Sequence, residues 1–269
     1  MTTSSSETPS PLWEGRDGGL KIDRREPVVI ITIDRPERRN AVDGKTAREL
    51  SATFRGFDAD PELSVAVLTG ASGNFCAGFD LKALAEGTGP EVGEGDGPMG
   101  PTYLRLGKPV IAAIEGYCVA GGMELALWSD LRIAATNAVL GIFNRRFGVP
   151  LVDGGTVRLA RIVGQGLAMD LILTGRPIGA EEAERHGLVN RLVEPGRALD
   201  EAIALAQRIA GFPQAGLRND RLSLLEQWGL PLDQALENEL RWGRKTMESG
   251  EALAGARRFA NGEGRGGTT

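Results

Sequence analysis

Apolar and polar positions follow two different periods along this chain. The run VVIITI at 28–33 is short, β-branched and bounded by Pro27 and Pro36, so it reads as the first ordered strand. Residues 44–57 then place Ala47, Leu50, Phe54 and Phe57 at helical spacing, with Asp43 positioned to cap the first turn. Beyond Pro61, VAVLT at 65–69 is a second buried strand, and the runs 110–114 and 131–134 are further strands. Residues 124–127 open a buried helix. Strands separated by helices predict an α/β architecture with largely parallel pairing.

From Thr156 the pattern turns helical, over 157–163, 167–173, 180–185, 199–210, 217–227, 232–247 and 251–259. Thr174-Gly-Arg-Pro and Gly211-Phe-Pro are the stops within this series. Along 232–247 the residues Leu232, Leu236, Leu240 and Met247 recur at helical spacing. A helical region of this kind either closes the subunit or forms an oligomer interface. The stretch EGTGPEVGEGDGPMGP at 86–101 has almost no apolar content and is expected to be a mobile loop, either a lid or a solvated connector.

Composition narrows the classes. The 269 residues are 41% hydrophobic and 25% charged, an ordinary globular balance. A net charge of −5 with no basic stripe argues against a nucleic-acid binder. The two cysteines, Cys76 and Cys118, have neither a CxxC spacing nor a histidine partner, so they read as small core residues and no metal site is expected. The polar start of the chain, to about Gly19, lacks the apolar core of a signal peptide, and no run approaches the ~20 apolar residues of a membrane span. A soluble cytoplasmic protein without membrane partners is the expectation. His186, the sole histidine, precedes Gly187 at a helix end, where it complements the helix dipole.

Two stretches carry the candidate chemistry. Cys76-Ala-Gly-Phe-Asp-Leu follows the strand VAVLT, and Gly116-Tyr-Cys-Val-Ala-Gly-Gly-Met-Glu-Leu-Ala follows VIAAI and leads into a helix. Both put small residues at the carboxyl end of a parallel strand, where open α/β sheets bind ligands. Glycine lets backbone approach a ligand closely, and the first N–H groups of a helix lack internal partners. Such groups suit an anionic oxygen.

These stretches, together with Asp34-Arg-Pro-Glu-Arg-Arg-Asn-Ala, Lys108-Pro-Val-Ile-Ala-Ala-Ile-Glu-Gly, Ser129-Asp-Leu-Arg-Ile-Ala, Gly154-Gly-Thr-Val-Arg-Leu, Leu173-Thr-Gly-Arg, Ala180-Glu-Glu-Ala and Gly187-Leu-Val, resemble the crotonase (enoyl-CoA hydratase/isomerase) superfamily in order and spacing. The resemblance implies a crotonase-like α/β spiral of ββα units with a helical C-terminal region that supports trimers or hexamers. Combined with the pattern along the chain, it divides the sequence into a disordered leader at 1–20, a spiral core with the acyl-CoA site at 21–198, an oligomerisation region at 199–260 and a flexible tail at 261–269. It further implies an oxyanion hole formed by the N–H groups of Phe79 and Gly121, for which two preorganised donors supply on the order of 3–4 kcal/mol each. Glu124 matches a catalytic carboxylate of the family. Arg39, Ala41, Val42, Ala77, Asp80, Leu81 and Gly122 match positions that line the substrate and coenzyme A channel, and Lys82, Arg35 and Arg39 are candidates to neutralise phosphate. No metal or redox cofactor is implied, because the coenzyme A thioester is itself the substrate.

One departure matters. Hydratases resemble one another in a second glutamate within a Phe-Gly-x-Pro-Glu context, and here Leu140-Gly-Ile-Phe-Asn puts Asn144 at that place. An amide holds water but does not exchange a proton at neutral pH. Asp153 matches the catalytic aspartate of dienoyl-CoA isomerases, and it equally suits capping the helix near Thr156 or pairing with Arg145 or Arg146. Hydration of a 2-enoyl-CoA is the leading reading. A double-bond isomerase using Glu124 and Asp153, and a non-catalytic acyl-CoA binder, are the alternatives.

Overall fold

The β-branched runs become the strands of one twisted sheet. A computed structural model describes residues 19–263; the rest of the expected leader, 1–18, and the end of the expected tail, 264–269, lie outside the described residues. The strands are β1 (Leu20–Arg25), β2 (Val28–Ile33), β3 (Val65–Gly70), β4 (Val110–Ile114), β5 (Tyr117–Val119), β6 (Leu131–Ala135), β7 (Val139–Gly141), β8 (Pro177–Gly179) and β9 (Arg191–Val193). The helices are α1 (Gly44–Ala59), α2 (Leu81–Ala85), α3 (Gly121–Trp128), α4 (Gly155–Thr174), α5 (Ala180–Arg185), α6 (Ala198–Ala210), α7 (Gln214–Glu226), α8 (Leu232–Glu248) and α9 (Glu251–Ala260).

The main sheet has the order β1-β2-β3-β4-β6-β9, and a smaller sheet has the order β5-β7-β8. Only β1 runs antiparallel to its neighbour in the main sheet. Each inner turn of chain contributes a strand to the main sheet, then a short strand to the small sheet, then a helix, as in β4-β5-α3. This is the ββα winding the resemblance implied. Because β3 and β4 are covered on both faces, every residue of β4 and all but the last of β3 are buried, which is why they read as unbroken apolar runs.

Helix α1 starts where expected, with the Asp43 carboxylate accepting the Thr46 N–H at 2.8 Å. Its apolar face buries Ala47, Leu50, Phe54 and Phe57. Phe54 meets Trp128 edge to face at 4.8 Å, joining α1 to the end of α3. The two helices expected at 157–163 and 167–173 form one span, α4, broken at Gly164, whose φ of 79° no regular helix permits.

Two expectations differ from the structure. β1 begins at Leu20, inside the stretch assigned to the leader; it carries only Leu20 and Ile22 among charged residues, so its apolar signal is weak. The stretch 86–101 is not uniformly loose. Residues 86–95 are mostly exposed, but Asp96 pairs with Arg55 and Ser51, and Pro98, Met99, Gly100 and Pro101 are buried. The described chain divides into two compact units between Gln207 and Arg208, and α6 carries its buried Ala198, Ala202, Ile203, Leu205 and Ala206 within the first.

In the second unit, α7 and α8 are tied by hydrogen bonds from Trp242 Nε1 to Glu226 (2.8 Å) and from Asn219 to Thr246 (3.0 Å). Glu251 at the start of α9 accepts the Ala215 and Gly216 N–H groups at the start of α7. The apolar stripe of α8 is open, with Leu232 at 73% and Met247 at 68% exposure. Among the described residues no helix is long and apolar enough to cross a membrane.

If α1 is anchored through its aromatic face, Phe54→Ala lowers the unfolding free energy by about 3–5 kcal/mol in a urea melt, the cost of a buried aromatic truncation. A loss below about 1 kcal/mol would show that α1 packs otherwise.

Candidate active site

The site begins with two loops drawn together by backbone. Cys76 donates its N–H to the Tyr117 carbonyl (3.0 Å) and accepts from the Val119 N–H (3.0 Å), a parallel bridge between Cys76 and Cys118 just before each glycine motif. Two residues further, Val42 takes both hydrogen bonds of a second bridge, donating to the Gly78 carbonyl (2.8 Å) and accepting from the Asp80 N–H (2.8 Å). In that arrangement the residue opposite Val42, Phe79, turns its own N–H to the other side. No backbone acceptor for it occurs among the described residues.

Gly121 is the first residue of α3, so its N–H has no acceptor inside the helix, and none occurs elsewhere among the described residues. The loops are close enough that a Cβ on Gly78 would lie 2.7 Å from the Gly121 nitrogen, and one on Gly122 would lie 2.1 Å from the Cys76 carbonyl oxygen. Gly78 also has a φ of 91°. Glycine is required at both places for close approach, and at 78 for backbone conformation as well. Ala120, which leads into α3, holds a φ of 54° and a ψ of −128° that an L-residue rarely adopts. Such strain costs on the order of 1–3 kcal/mol and recurs at functional sites.

Phe79 and Gly121 border a pocket of about 160 Å3 that Glu124 also lines. Ala77, Leu81, Val119 and Ala120 continue one side, and Phe143, Asn144, Phe147, Val149 and Pro150 form the other. Glu124 is 1% exposed, and its Oε1 accepts the N–H groups of Asp153 (2.9 Å) and Gly155 (2.9 Å), the latter opening α4. Its Oε2 accepts no hydrogen bond among the described residues. Burial pushes the Glu124 carboxyl up to about 7, with the Asp153 charge adding to the rise and the two amides opposing it.

Asp153 lies outside the pocket lining. Its Oδ1 accepts from Met99 N–H (2.8 Å) and from the Thr102 hydroxyl, so it pins the buried end of 86–101 rather than capping a helix or pairing with Arg145 or Arg146. Burial raises its pKa as well. Arg158 donates to the carbonyls of Asp153 (2.7 Å) and Thr102 (2.6 Å) and brings a positive charge near both carboxyls. The sequence pattern gave no role to Met99 or Thr102, which reach the site through a loop that joins it only after folding, and it marked Arg158 only as part of the motif Gly154-Gly-Thr-Val-Arg-Leu.

The other expected positions divide. Ala77 and Leu81 line the pocket, and Ala41, Val42 and Gly122 are buried backbone beside it. Asp80 caps α2 and pairs with Arg35 (3.1 Å). Arg35 also pairs with Asp43 (2.9 Å), so it is committed to the fold and not available for phosphate. The Arg39 side chain is exposed and lies over the Tyr117 ring at 5.2 Å, and Lys82 is exposed. Both cysteines are free and buried, and burial raises both thiols, Cys76 to about 12. His186 ends α5.

A ββα spiral with a mostly apolar pocket at its strand ends is the architecture of acyl-CoA enzymes of the crotonase fold. The enoyl-CoA hydratase/isomerase family profile matches residues 23–263, and the chain belongs to that family. It is 36% identical over 246 residues to the enoyl-CoA hydratase EchA19 of Mycobacterium tuberculosis, covering 89% of this chain and 92% of that protein. It is 42% identical over 193 residues to the carnitinyl-CoA dehydratase of Escherichia coli K12, covering 71% and 74%. The crystal structure of enoyl-CoA hydratase EchA1 from Mycobacterium marinum superposes with a TM-score of 0.87 at 39% identity, covering 91% of this chain and 96% of that one.

A carboxyl whose folded pKa is raised holds its proton more tightly in the native state, so its contribution to stability is present at acid pH and is lost as pH rises through about 7. Glu124→Gln removes that loss. The variant is expected to gain on the order of 2–3 kcal/mol over the parent between pH 5 and pH 8 in urea melts. A stability difference that does not change with pH would mean that Glu124 is not held in a desolvated site.

Proposed function

We propose that this enzyme adds water across the double bond of 2-enoyl-CoA thioesters, and reverses the reaction, through an enolate held by the Phe79 and Gly121 N–H groups. The observation that carries this reading is the convergence, on one pocket, of two backbone donors without acceptors and one buried carboxyl of raised pKa. When the β-carbon is attacked, negative charge moves to the thioester oxygen, and donors fixed before the reaction stabilise it without reorganisation. Glu124 is the acid/base, and a pKa of about 7 lets it both take and return a proton near neutrality.

Asp153 is assigned a supporting part, because its side chain does not line the pocket and its charge raises the pKa of Glu124. The isomerase reading with Asp153 as a second proton carrier is correspondingly less favoured. The coenzyme A thioester is the substrate and no separate cofactor takes part. Arg39, exposed at the edge of the first loop, is a phosphate partner in this reading. The chain assembles as a homotrimer or a hexamer, a proposal supported by the open Leu232, Leu236, Leu240 and Met247 stripe on α8.

Glu124→Gln is expected to lower hydration of a crotonyl thioester by about 1000-fold, followed as loss of the enoyl absorbance, with its KM within about threefold of the parent. Activity within about tenfold of the parent would remove Glu124 from this role. Light scattering on a sizing column is expected to give three or six times the 28.6 kDa chain mass, and a monomer would contradict the assembly.

A further inference from the structure

Hydration divides one water between the β-carbon and the α-carbon, yet among the side chains lining the pocket only Glu124 exchanges protons. The other polar side chain there is Asn144, on the short 3-10 turn 143–146 that follows β7, and it is 4% exposed. Its Nδ2 donates to the Pro150 carbonyl at 3.3 Å, while its Oδ1 is buried without a hydrogen-bond partner. Exchanging the two ends of the amide would set Oδ1 against the Pro150 carbonyl, oxygen facing oxygen, so the unpaired atom is the acceptor. Native interiors seldom leave such an atom unpaired, and the exceptions call for a partner. Of the buried side-chain atoms without a partner among the described residues, the others belong to Glu49, Asp153 and Asn238, none of which lines this pocket.

We infer that Asn144 Oδ1 is the acceptor for the hydrogen that the reacting water keeps, and thus for the β-hydroxyl of the product, so that a single carboxylate suffices for hydration. This rests on the function proposed above. The water lies between Glu124 and Asn144. Its oxygen forms the bond to the β-carbon as one O–H proton passes to the Glu124 carboxylate. The electron pair of the double bond moves onto the thioester as an enolate, held by the Phe79 and Gly121 N–H groups. The Glu124 proton then goes to the α-carbon, which regenerates the carboxylate and leaves one added water. The second water hydrogen never leaves oxygen and stays hydrogen-bonded to Asn144 Oδ1. Asn144 is a positioning residue in this scheme: it fixes which hydrogen faces the carboxylate and selects acyl thioesters that carry, or acquire, a hydroxyl at the β-carbon. A carboxylate at this place would compete for the proton, whereas an amide cannot.

The test separates the two layers. Wild type, Asn144→Leu and Asn144→Ala are assayed for hydration of crotonyl-CoA and, by mass spectrometry in D2O, for α-hydrogen exchange of butyryl-CoA, which needs Glu124 and the enolate donors but no water at the β-carbon. The inference predicts that both variants lose roughly 100-fold in hydration kcat, as expected for a misplaced reactant. It also predicts that their exchange rates and their KM for crotonyl-CoA stay within about threefold of wild type. Hydration within about threefold of wild type in either variant, or exchange falling in parallel with hydration, would overturn it. Wild type that performs neither reaction would instead sink the proposed function.

Discussion

The site depends on how backbone hydrogen bonds are shared between two neighbouring loops. Cys76 and Val42 each take both hydrogen bonds of a parallel bridge, one on either side of the segment 76–80. That sharing leaves the Phe79 N–H facing away from Val42, while the start of α3 frees the Gly121 N–H. Neither donor would be available if the segment continued as a regular strand, because a ladder would supply an acceptor for each. The glycines at 78 and 122 follow from the same constraint, since a Cβ at either position would occupy the space the other loop needs. The pairing of two loops therefore comes first, and the donors are its consequence.

Desolvation is the second constraint. Glu124 sits on the first turn of α3, where the helix dipole and two amide donors favour its anion, yet burial outweighs them and its pKa rises. The segment 98–102 is buried next to Gly121 and Asp153, from a distance in sequence. Met99 would meet a Cβ on Gly121 at 2.8 Å through its sulfur, and Asp153 holds the segment through Met99 N–H and Thr102. The end of a stretch that read as a lid or a solvated connector is thus packed behind Gly121 and tied to Asp153.

Much of this was legible in the chain itself. VVIITI, VAVLT and VIAAI are apolar without alternation because parallel strands are covered on both sides, and α1 is marked by its cap and by Phe54 and Phe57 one turn apart. The family resemblance named Phe79, Gly121 and Glu124, and these three border one pocket. What stayed hidden has physical reasons. β5, β7, β8 and β9 are three residues each, too short for a period to register. β1 is an edge strand whose charged residues mask its apolar ones. Asp153 was legible as an acid but not in its surroundings, since Met99 and Thr102 reach it through tertiary contacts alone. The apolar wall from Phe143 to Pro150 was visible only as the place where a glutamate is missing.

The central claim is that the two N–H groups bind a thioester oxygen and draw electrons toward it. The most direct measurement is the carbonyl stretching frequency of a crotonyl thioester, labelled with 13C at the carbonyl, bound to the Glu124→Gln protein and recorded as a difference spectrum against the same thioester in water. Two preorganised donors predict a shift to lower frequency, together with a red shift of the enoyl absorbance, as the C=O bond gains single-bond character. A bound thioester with the same frequency as in water, or a higher one, would show that the Phe79 and Gly121 amides do not polarise it and would contradict the account.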